Sequence, residues 1–211
     1  MTGGNAKSER RVTVRVGSDA DSVNVVSTAD VIILTGPPGS GKSTTARALA
    51  PLYPRSVHLH TDDFWDYIVS GAVPPYLPES DDQNQTVMRV IRDSAFAYAA
   101  GGFVTVIDGI IGPWMLGHFR DTGGKEAVPL LHYVVLRPGR GETLRRAQGR
   151  RSAGALVDEN PVLSLWDQFS DLGALGRHVI DTTDQKPAET LAAVQTAIGS
   201  GAFVLEANTS S

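Results

Sequence analysis

The chain has 211 residues, interior enough for one open sheet covered by helices on both faces, and no second domain is expected. Its formal charge of −4 gives no basic footprint for nucleic acid or an anionic membrane, so a polynucleotide substrate is disfavoured. The absence of cysteine excludes disulfides, thiolate catalysis and Cys-zinc sites.

Residues 1–10 are polar and read as loose, without the apolar core of a signal peptide. Val12, Val14 and Val16 alternate with Arg11, Thr13 and Arg15, and Gly17 to Asp21 form a turn before Val23 to Val26. That pattern predicts a β-hairpin in an extension over 1–27, to which no chemistry is assigned. Asp30 to Thr35 is an apolar run short enough for a buried strand, and Thr44 to Ala50 reads as a helix.

Between them, Gly36-Pro37-Pro38-Gly39-Ser40-Gly41-Lys42-Ser43 matches every fixed position of G-x-x-x-x-G-K-[ST]. Glycines let the backbone fold tightly enough for successive N–H groups to point at phosphate oxygens, and the helix N-terminus adds partial positive charge. Lys42 is positioned to reach the β- and γ-phosphates, and the Ser43 hydroxyl to ligate Mg²⁺. Gly36 to Thr44 are therefore the expected nucleotide-binding residues.

Pro51 and Pro54 break the helical pattern, and Ser56 to His60 resume as a second strand running straight into Thr61-Asp62-Asp63-Phe64-Trp65. A turn-rich, acidic stretch from Pro74 to Asn84 is long enough for a functional loop. Helical spacing returns from Val87 to Tyr98 and stops at Gly101-Gly102. Phe103 to Ile107 is a strand buried on both faces, ending at Asp108-Gly109. A short helix begins at Pro113, with Gly123-Gly124 as its exit; Leu130 to Leu136 is a fourth strand. Glu142 to Arg151 reads as a helix with arginines at 145, 146, 150 and 151. Asn160-Pro161 opens another, with Val162, Leu165, Trp166, Phe169 and Leu172 as its apolar stripe. His178 to Ile180 is the last strand, and Pro187 to Ile198 the last helix.

Strands alternating with helices predict an α/β fold with a parallel sheet, whose ligands gather outside the carboxyl ends of the strands. Those ends carry Gly36, Asp62-Asp63, Asp108, Arg137 and Asp181-Thr182-Thr183. Asp108, after its apolar strand, resembles a Walker B carboxylate holding Mg²⁺ beside the phosphate loop. Asp62 is the expected group for orienting an acceptor hydroxyl and taking its proton late; Asp63 serves equally well as an acidic first turn of a helix. Arg146 and Arg150, four apart, are expected to share a helix face that repels itself unless an anion lies between them. Trp65, Tyr67, Tyr76 and Trp114 flank the expected acceptor site, while Trp166 and Phe169 fit a core stripe. His60, His118 and His178 lack metal-ligand spacing and are read as structural.

The order of motifs resembles the small P-loop phosphotransferases of the nucleoside-monophosphate-kinase-like group, in particular chloramphenicol phosphotransferase-like and gluconate-kinase-like proteins. The resemblance runs from Val31 to Ile198 and is carried by Gly36 to Thr44, Asp62-Asp63-Phe64, Glu142-Thr143-Leu144-Arg145-Arg146 with Arg150, and His178 to Thr182. It implies a three-layer fold with a five-stranded parallel sheet in the order 2-3-1-4-5. It implies ATP and Mg²⁺ as cosubstrates, Asp62 acting on the acceptor hydroxyl, Arg146 and Arg150 on the phosphates, and the turn after strand five near the adenine. The domain is expected over 28–200, with a lid around 138–160 and a tail over 201–211.

The reading that follows is a cytoplasmic, ATP-dependent phosphotransferase acting on a small hydroxylated molecule, antibiotic-like or sugar-acid-like. Lys42, Asp62, Arg146 and Arg150 are its catalytic residues, Ser43 and Asp108 its metal ligands, and Asp62, Asp63, Trp65 and Trp114 its acceptor contacts. A nucleotide hydrolase or switch and a toxin-like kinase of a sugar nucleotide are the alternatives. A guanine-reading Asn-Lys-x-Asp motif is absent, and no run of about 18 apolar residues suggests a membrane span.

Overall fold

Alternation along the central strand builds two cores at once. β1 (Val31–Thr35) is buried throughout. Its Val31 and Ile33 side chains join one cluster, and Ile32 and Leu34 join another on the opposite face. The computed structural model describes residues 28–120, 128–151 and 156–206. Within them β1 is flanked by β2 (Ser56–His60), β3 (Val104–Asp108), β4 (Leu131–Leu136) and β5 (Val179–Ile180) in one parallel sheet of order β2-β3-β1-β4-β5. This is the order that the family resemblance implied. The predicted hairpin over 1–27 and the Gly123-Gly124 exit lie outside the described residues.

Helices α1 (Lys42–Leu49) and α7 (Pro187–Ser200) cover the face carrying Ile32, Leu34, Val106 and Val134, through Ala46, Leu49 and Val194. The other face carries Ile33, Ile107, Tyr133 and Val135, and packs against α3 (Asp81–Ala100), α4 (Leu116–Arg120) and Phe169. α2 (Thr61–Asp66) follows β2 without a break, while α5 (Arg140–Gln148) and α6 (Glu159–Gln168) fill the stretch between β4 and β5. No helix among the described residues is long and apolar enough to cross a membrane.

Three boundaries differ from expectation. α3 starts at Asp81, so the end of the expected Pro74–Asn84 loop is helical; Asp81 and Asp82 in its first turn complement the helix dipole. Gln83 then reaches back to bond both the N–H and the C=O of Val73, at 2.9 and 2.7 Å, and ties the remaining loop down. α5 stops at Gln148 with Gly149 as its C-cap, so Arg150 and Arg151 are not on the helix and the expected shared face of Arg146 and Arg150 does not exist. The stretch after α7 is not a simple tail either. Phe203 to Leu205 run antiparallel to the start of β4, with Tyr133 N–H donating to Phe203 at 2.9 Å and Leu205 N–H to Leu131 at 2.8 Å. β5 covers only Val135 and Leu136, and the returning segment satisfies the backbone that β5 leaves open.

The carboxyl end of β3 abuts the start of α2 with no room to spare. A Cβ at Gly109 would stand 2.7 Å from the Thr61 Cβ and 2.5 Å from its Cγ2. Gly109→Ala is therefore expected to lower stability by about 1–3 kcal/mol. Gly117→Ala in α4, where a Cβ meets nothing within 4 Å, should be neutral or slightly stabilising. Urea midpoints of the two variants check this, and equal midpoints would refute the tight approach.

Candidate functional site

β1 leaves the sheet at Gly36, whose φ of 141° and close approach to the Leu136 carbonyl suit only glycine. Gly39 turns at φ 78°, where a Cβ would lie 2.8 Å from Ala147 N and 2.9 Å from Thr143 O, so the loop leans on α5. Ser40 N–H donates to Pro37 O at 3.2 Å, and Gly41, left-handed at φ 92°, is the N-cap of α1. The Ser40 hydroxyl is buried with no hydrogen-bond partner among the described residues. Lys42 Nζ donates across the loop to Pro37 O at 3.4 Å. Burial pulls the Lys42 amine down to about 8; Asp62 and then Asp108 oppose the shift, and Arg150 adds to it. Those four charged groups thus share one neighbourhood.

Asp108 ends β3 with no solvent exposure, and the β2–β3 register sets it directly beside His60. Its Oδ2 accepts from the Ser43 hydroxyl; His58 Nε2 lies 2.5 Å from Oδ1, and His60 Nδ1 lies 3.1 Å from Oδ2 and 3.2 Å from Oδ1. Burial alone would push this carboxyl up. Hydrogen bonds from His58 and Ser43, with the charges of His60 and His58, outweigh that and leave it lowered. A hydroxyl and an ionised carboxylate in contact beside the phosphate loop are the hard oxygen donors that suit Mg²⁺. That ion retains several waters, needs few protein ligands, and requires no cage of three or more His, Cys, Asp or Glu, of which the described residues hold none.

Because α2 begins at Thr61, Asp62 and Asp63 both fall in its first turn, which satisfies the dipole. They differ in surroundings. The Asp62 carboxylate is 71% exposed, lies 3.6 Å from His60 Nε2 and is the strongest charge acting on Lys42. Asp63 is exposed, and its side chain makes no hydrogen bond or ion pair among the described residues.

The arginines separate. Glu142 accepts from Arg145 at 2.6 and 2.7 Å and from Arg146 at 2.5 Å, and these bonds hold its carboxyl at about 2. The anion expected between like charges is thus supplied within α5 itself. Arg146 also donates to the carbonyls of Thr182 and Thr183, both at 2.9 Å, bracing the turn after β5. Thr183 Oγ1 in turn accepts from Gly139 N–H at 2.8 Å. Arg150, exposed beyond the helix, is the arginine that acts on Lys42.

Trp65 donates to Asn84 Oδ1 at 2.8 Å and lines an open cleft of about 250 Å³ with Asp66, Val73, Pro74, Pro75 and Gln83. Trp114, 48% exposed, folds over Gly112 and meets Phe169 edge-on at 5.8 Å. The loop beneath it is fixed at Ile111, whose N–H donates to Thr35 Oγ1 and whose carbonyl accepts from Tyr133 OH, both at 2.9 Å. No ring contact joins Trp65 to Trp114 among the described residues. The residues missed in the sequence are His58 and His60: read as strand or structural positions, they hold Asp108. The available signal was their two-residue spacing at the end of a strand adjoining one that ends in aspartate.

Strand, phosphate loop, helix and neighbouring carboxylate define a nucleotide-phosphate-binding protein of the P-loop class. The chain belongs to the AAA domain family, whose model matches residues 32–191. A sugar kinase from a Janibacter species has a similar structure, with 20% identity and a TM-score of 0.60 over 84% of this chain and 99% of that one. A gluconokinase from Sinorhizobium meliloti is similar at 18% identity and 0.60, covering 83% and 95%. The Acinetobacter baumannii shikimate kinase, in complex with shikimate, is similar at 21% identity and 0.58, covering 82% and 94%. No curated protein sequence matches the chain. The shared fold is that of P-loop kinases.

Proposed function

We propose that the protein is an ATP-dependent phosphotransferase that moves the γ-phosphate to a hydroxyl of a small molecule, antibiotic-like or sugar-acid-like. The observation that carries this reading is Asp62: an exposed carboxylate just past the end of β2, close enough to act on the phosphate-loop lysine and separated from the Asp108–Ser43 pair by the His60 ring. A hydrolase or switch has no need of a solvent-facing carboxylate there, whereas transfer to an alcohol does. Proteins of the same fold are named as sugar kinase, gluconokinase and shikimate kinase, in keeping with a small hydroxylated acceptor.

In this reading the loop amides and Lys42 bind the β- and γ-phosphates, and Ser43 and Asp108 would hold Mg²⁺, which neutralises phosphate charge when bound. Asp62 orients the acceptor hydroxyl and accepts its proton as the bond to phosphorus forms. Asp63, Trp65 and Trp114 border the acceptor's approach. The panel that tests this measures ATP-to-ADP turnover with hydroxylated antibiotics, sugar acids, nucleosides and sugar nucleotides. Turnover stimulated by one compound, with a phosphorylated product, supports transfer; ADP formation with no phosphorylated product favours a hydrolase.

The two lid-side arginines are expected to fail differently. Arg146→Ala frees the turn after β5 and should raise KM for ATP several-fold with kcat little changed, since Arg146 is committed to Glu142 and two carbonyls. Arg150→Ala removes the arginine beside Lys42 and should lower kcat by up to about 10³-fold. Steady-state kinetics of both variants check the division, and the reverse pattern would return Arg146 to the phosphates.

A further inference from the structure

We propose that the acceptor is a hydroxylated amine whose ammonium group seats in the Trp65 cleft against Asp66, an assignment that rests on the phosphotransferase reading above and narrows its acceptor. Besides Trp65 and Asp66, the cleft of about 250 Å³ is lined by the loop 72–75 and by Gln83. Its walls are fixed before any ligand arrives. Gln83 holds both the N–H and the C=O of Val73, at 2.9 and 2.7 Å, and Trp65 Nε1 donates to Asn84 Oδ1 at 2.8 Å. Asn84 Nδ2 in turn donates to Pro75 O at 2.8 Å, so α2, the loop and the start of α3 are joined around the opening.

The lining decides the charge of what enters. No lysine, arginine or histidine borders the cleft. The two side chains able to donate, Trp65 and Gln83, are already engaged; Pro74 and Pro75 have no N–H, and that of Val73 is taken. A carboxylate entering there would lose hydration with nothing from these groups to replace it. The Asp66 carboxylate makes no hydrogen bond or ion pair among the described residues. A carboxylate beside an indole and two proline rings suits an alkylammonium group, with charge on one side and ring contact on the other.

The surroundings have the same sign. From residue 56 to 88 the chain has no lysine or arginine and carries Asp62, Asp63, Asp66, Glu79, Asp81 and Asp82. The next arginines, Arg89 and Arg92, belong to the α4 side of α3, where both act on His118, which lies 2.6 Å from Gln85 Oε1. Helical periodicity puts Gln83 opposite Arg92. Asp62 and Asp66, four apart in α2, share a face with Cβ atoms about 5–6 Å apart. Asp62, and not Asp66, is among the charges acting on Lys42, so an acceptor whose hydroxyl meets Asp62 meets Asp66 about one helical turn farther from the phosphate loop. Transfer is that of any alcohol: the acceptor oxygen bonds to the γ-phosphorus, the bond from that phosphorus to the bridging oxygen of ADP breaks, and the hydroxyl proton passes to Asp62. The ammonium keeps its protons and serves for binding.

The turnover panel is run with matched compounds: glucosamine against glucose and gluconate, and amine-bearing against amine-free hydroxylated antibiotics. The amine-bearing member of a set should be phosphorylated with kcat/KM at least about fivefold above its uncharged counterpart. Asp66→Asn should raise KM for that acceptor at least about fivefold and leave kcat and KM for ATP within about twofold, because the contact is the same in ground and transition states. Asp66→Lys should raise it further. A carboxylate-bearing or uncharged member phosphorylated as efficiently as its amine counterpart, or a KM unmoved by Asp66→Asn, would overturn the proposal. A second measurement needs no transfer: the indole ¹H–¹⁵N resonance of Trp65, identified by its loss in Trp65→Phe, is followed at constant ionic strength with butylammonium chloride and with sodium butyrate. Butylammonium should move it and butyrate should not, and Asp66→Asn should weaken the butylammonium titration at least about threefold. Equal shifts from both salts would overturn the proposal on their own. If no panel compound is phosphorylated while butylammonium alone moves the resonance, the transfer reading fails and the cation-binding cleft stands.

Discussion

Lys42→Ala is expected to abolish phosphoryl transfer while leaving the fold intact. The side chain belongs to neither hydrophobic cluster, and its only hydrogen bond among the described residues is the 3.4 Å contact with Pro37 O, so little folding energy depends on it. Its charge is another matter. In the proposed transfer, a single ammonium on the phosphoryl group in a partly desolvated loop should account for at least about 10²–10³-fold in kcat. Turnover near wild type, or a variant that fails to fold, would contradict the assignment. The same lysine sets a pH limit. Burial brings its amine to about 8, so the free protein loses this cation as pH rises through that value, and kcat/KM for ATP should fall on the alkaline side. Bound phosphate favours the charged form, so kcat itself should decline only at higher pH.

Asp62→Asn is expected to lower kcat by about 10²–10⁴-fold with ATP affinity largely kept, the amide preserving shape but accepting no proton. Asp62 is exposed, so circular dichroism and thermal midpoint should match wild type. A linked effect makes the test sharper. The Asp62 charge raises the Lys42 pKa, so its removal should shift the alkaline limb of kcat/KM to lower pH. Acceptor-stimulated turnover that survives Asp62→Asn would move the hydroxyl-orienting role to Asp63 or elsewhere.

The parts of this molecule legible from sequence are those governed by local rules. Apolar runs bounded by turn formers mark all five strands to within about two residues, and the fixed spacing of Gly36, Gly41, Lys42 and Ser43 marks the phosphate loop. What resisted reading depends on contacts between distant residues. Nothing near His58 and His60 announces that β2 and β3 align them on Asp108, and that register comes from tertiary packing. Nor does helical spacing at 146 and 150 reveal that Gly149 ends α5 between them, or that Glu142 supplies the counter-charge. The turn residues before α3 concealed a helix start, because aspartate favours turns and helix N-termini alike.

The segment from Phe203 to Leu205 bears on how the protein is made. On a ribosome, the central strands β1, β3 and β4 emerge well before this piece, so the first half of β4 waits with an unpaired flank. β5 cannot shield it, since its two residues reach only Val135 and Leu136. The nascent sheet therefore stays open to pairing with another chain until Leu205 has cleared the exit tunnel. Synthesis speed and chaperone access over that interval bear on yield without touching any residue of the site.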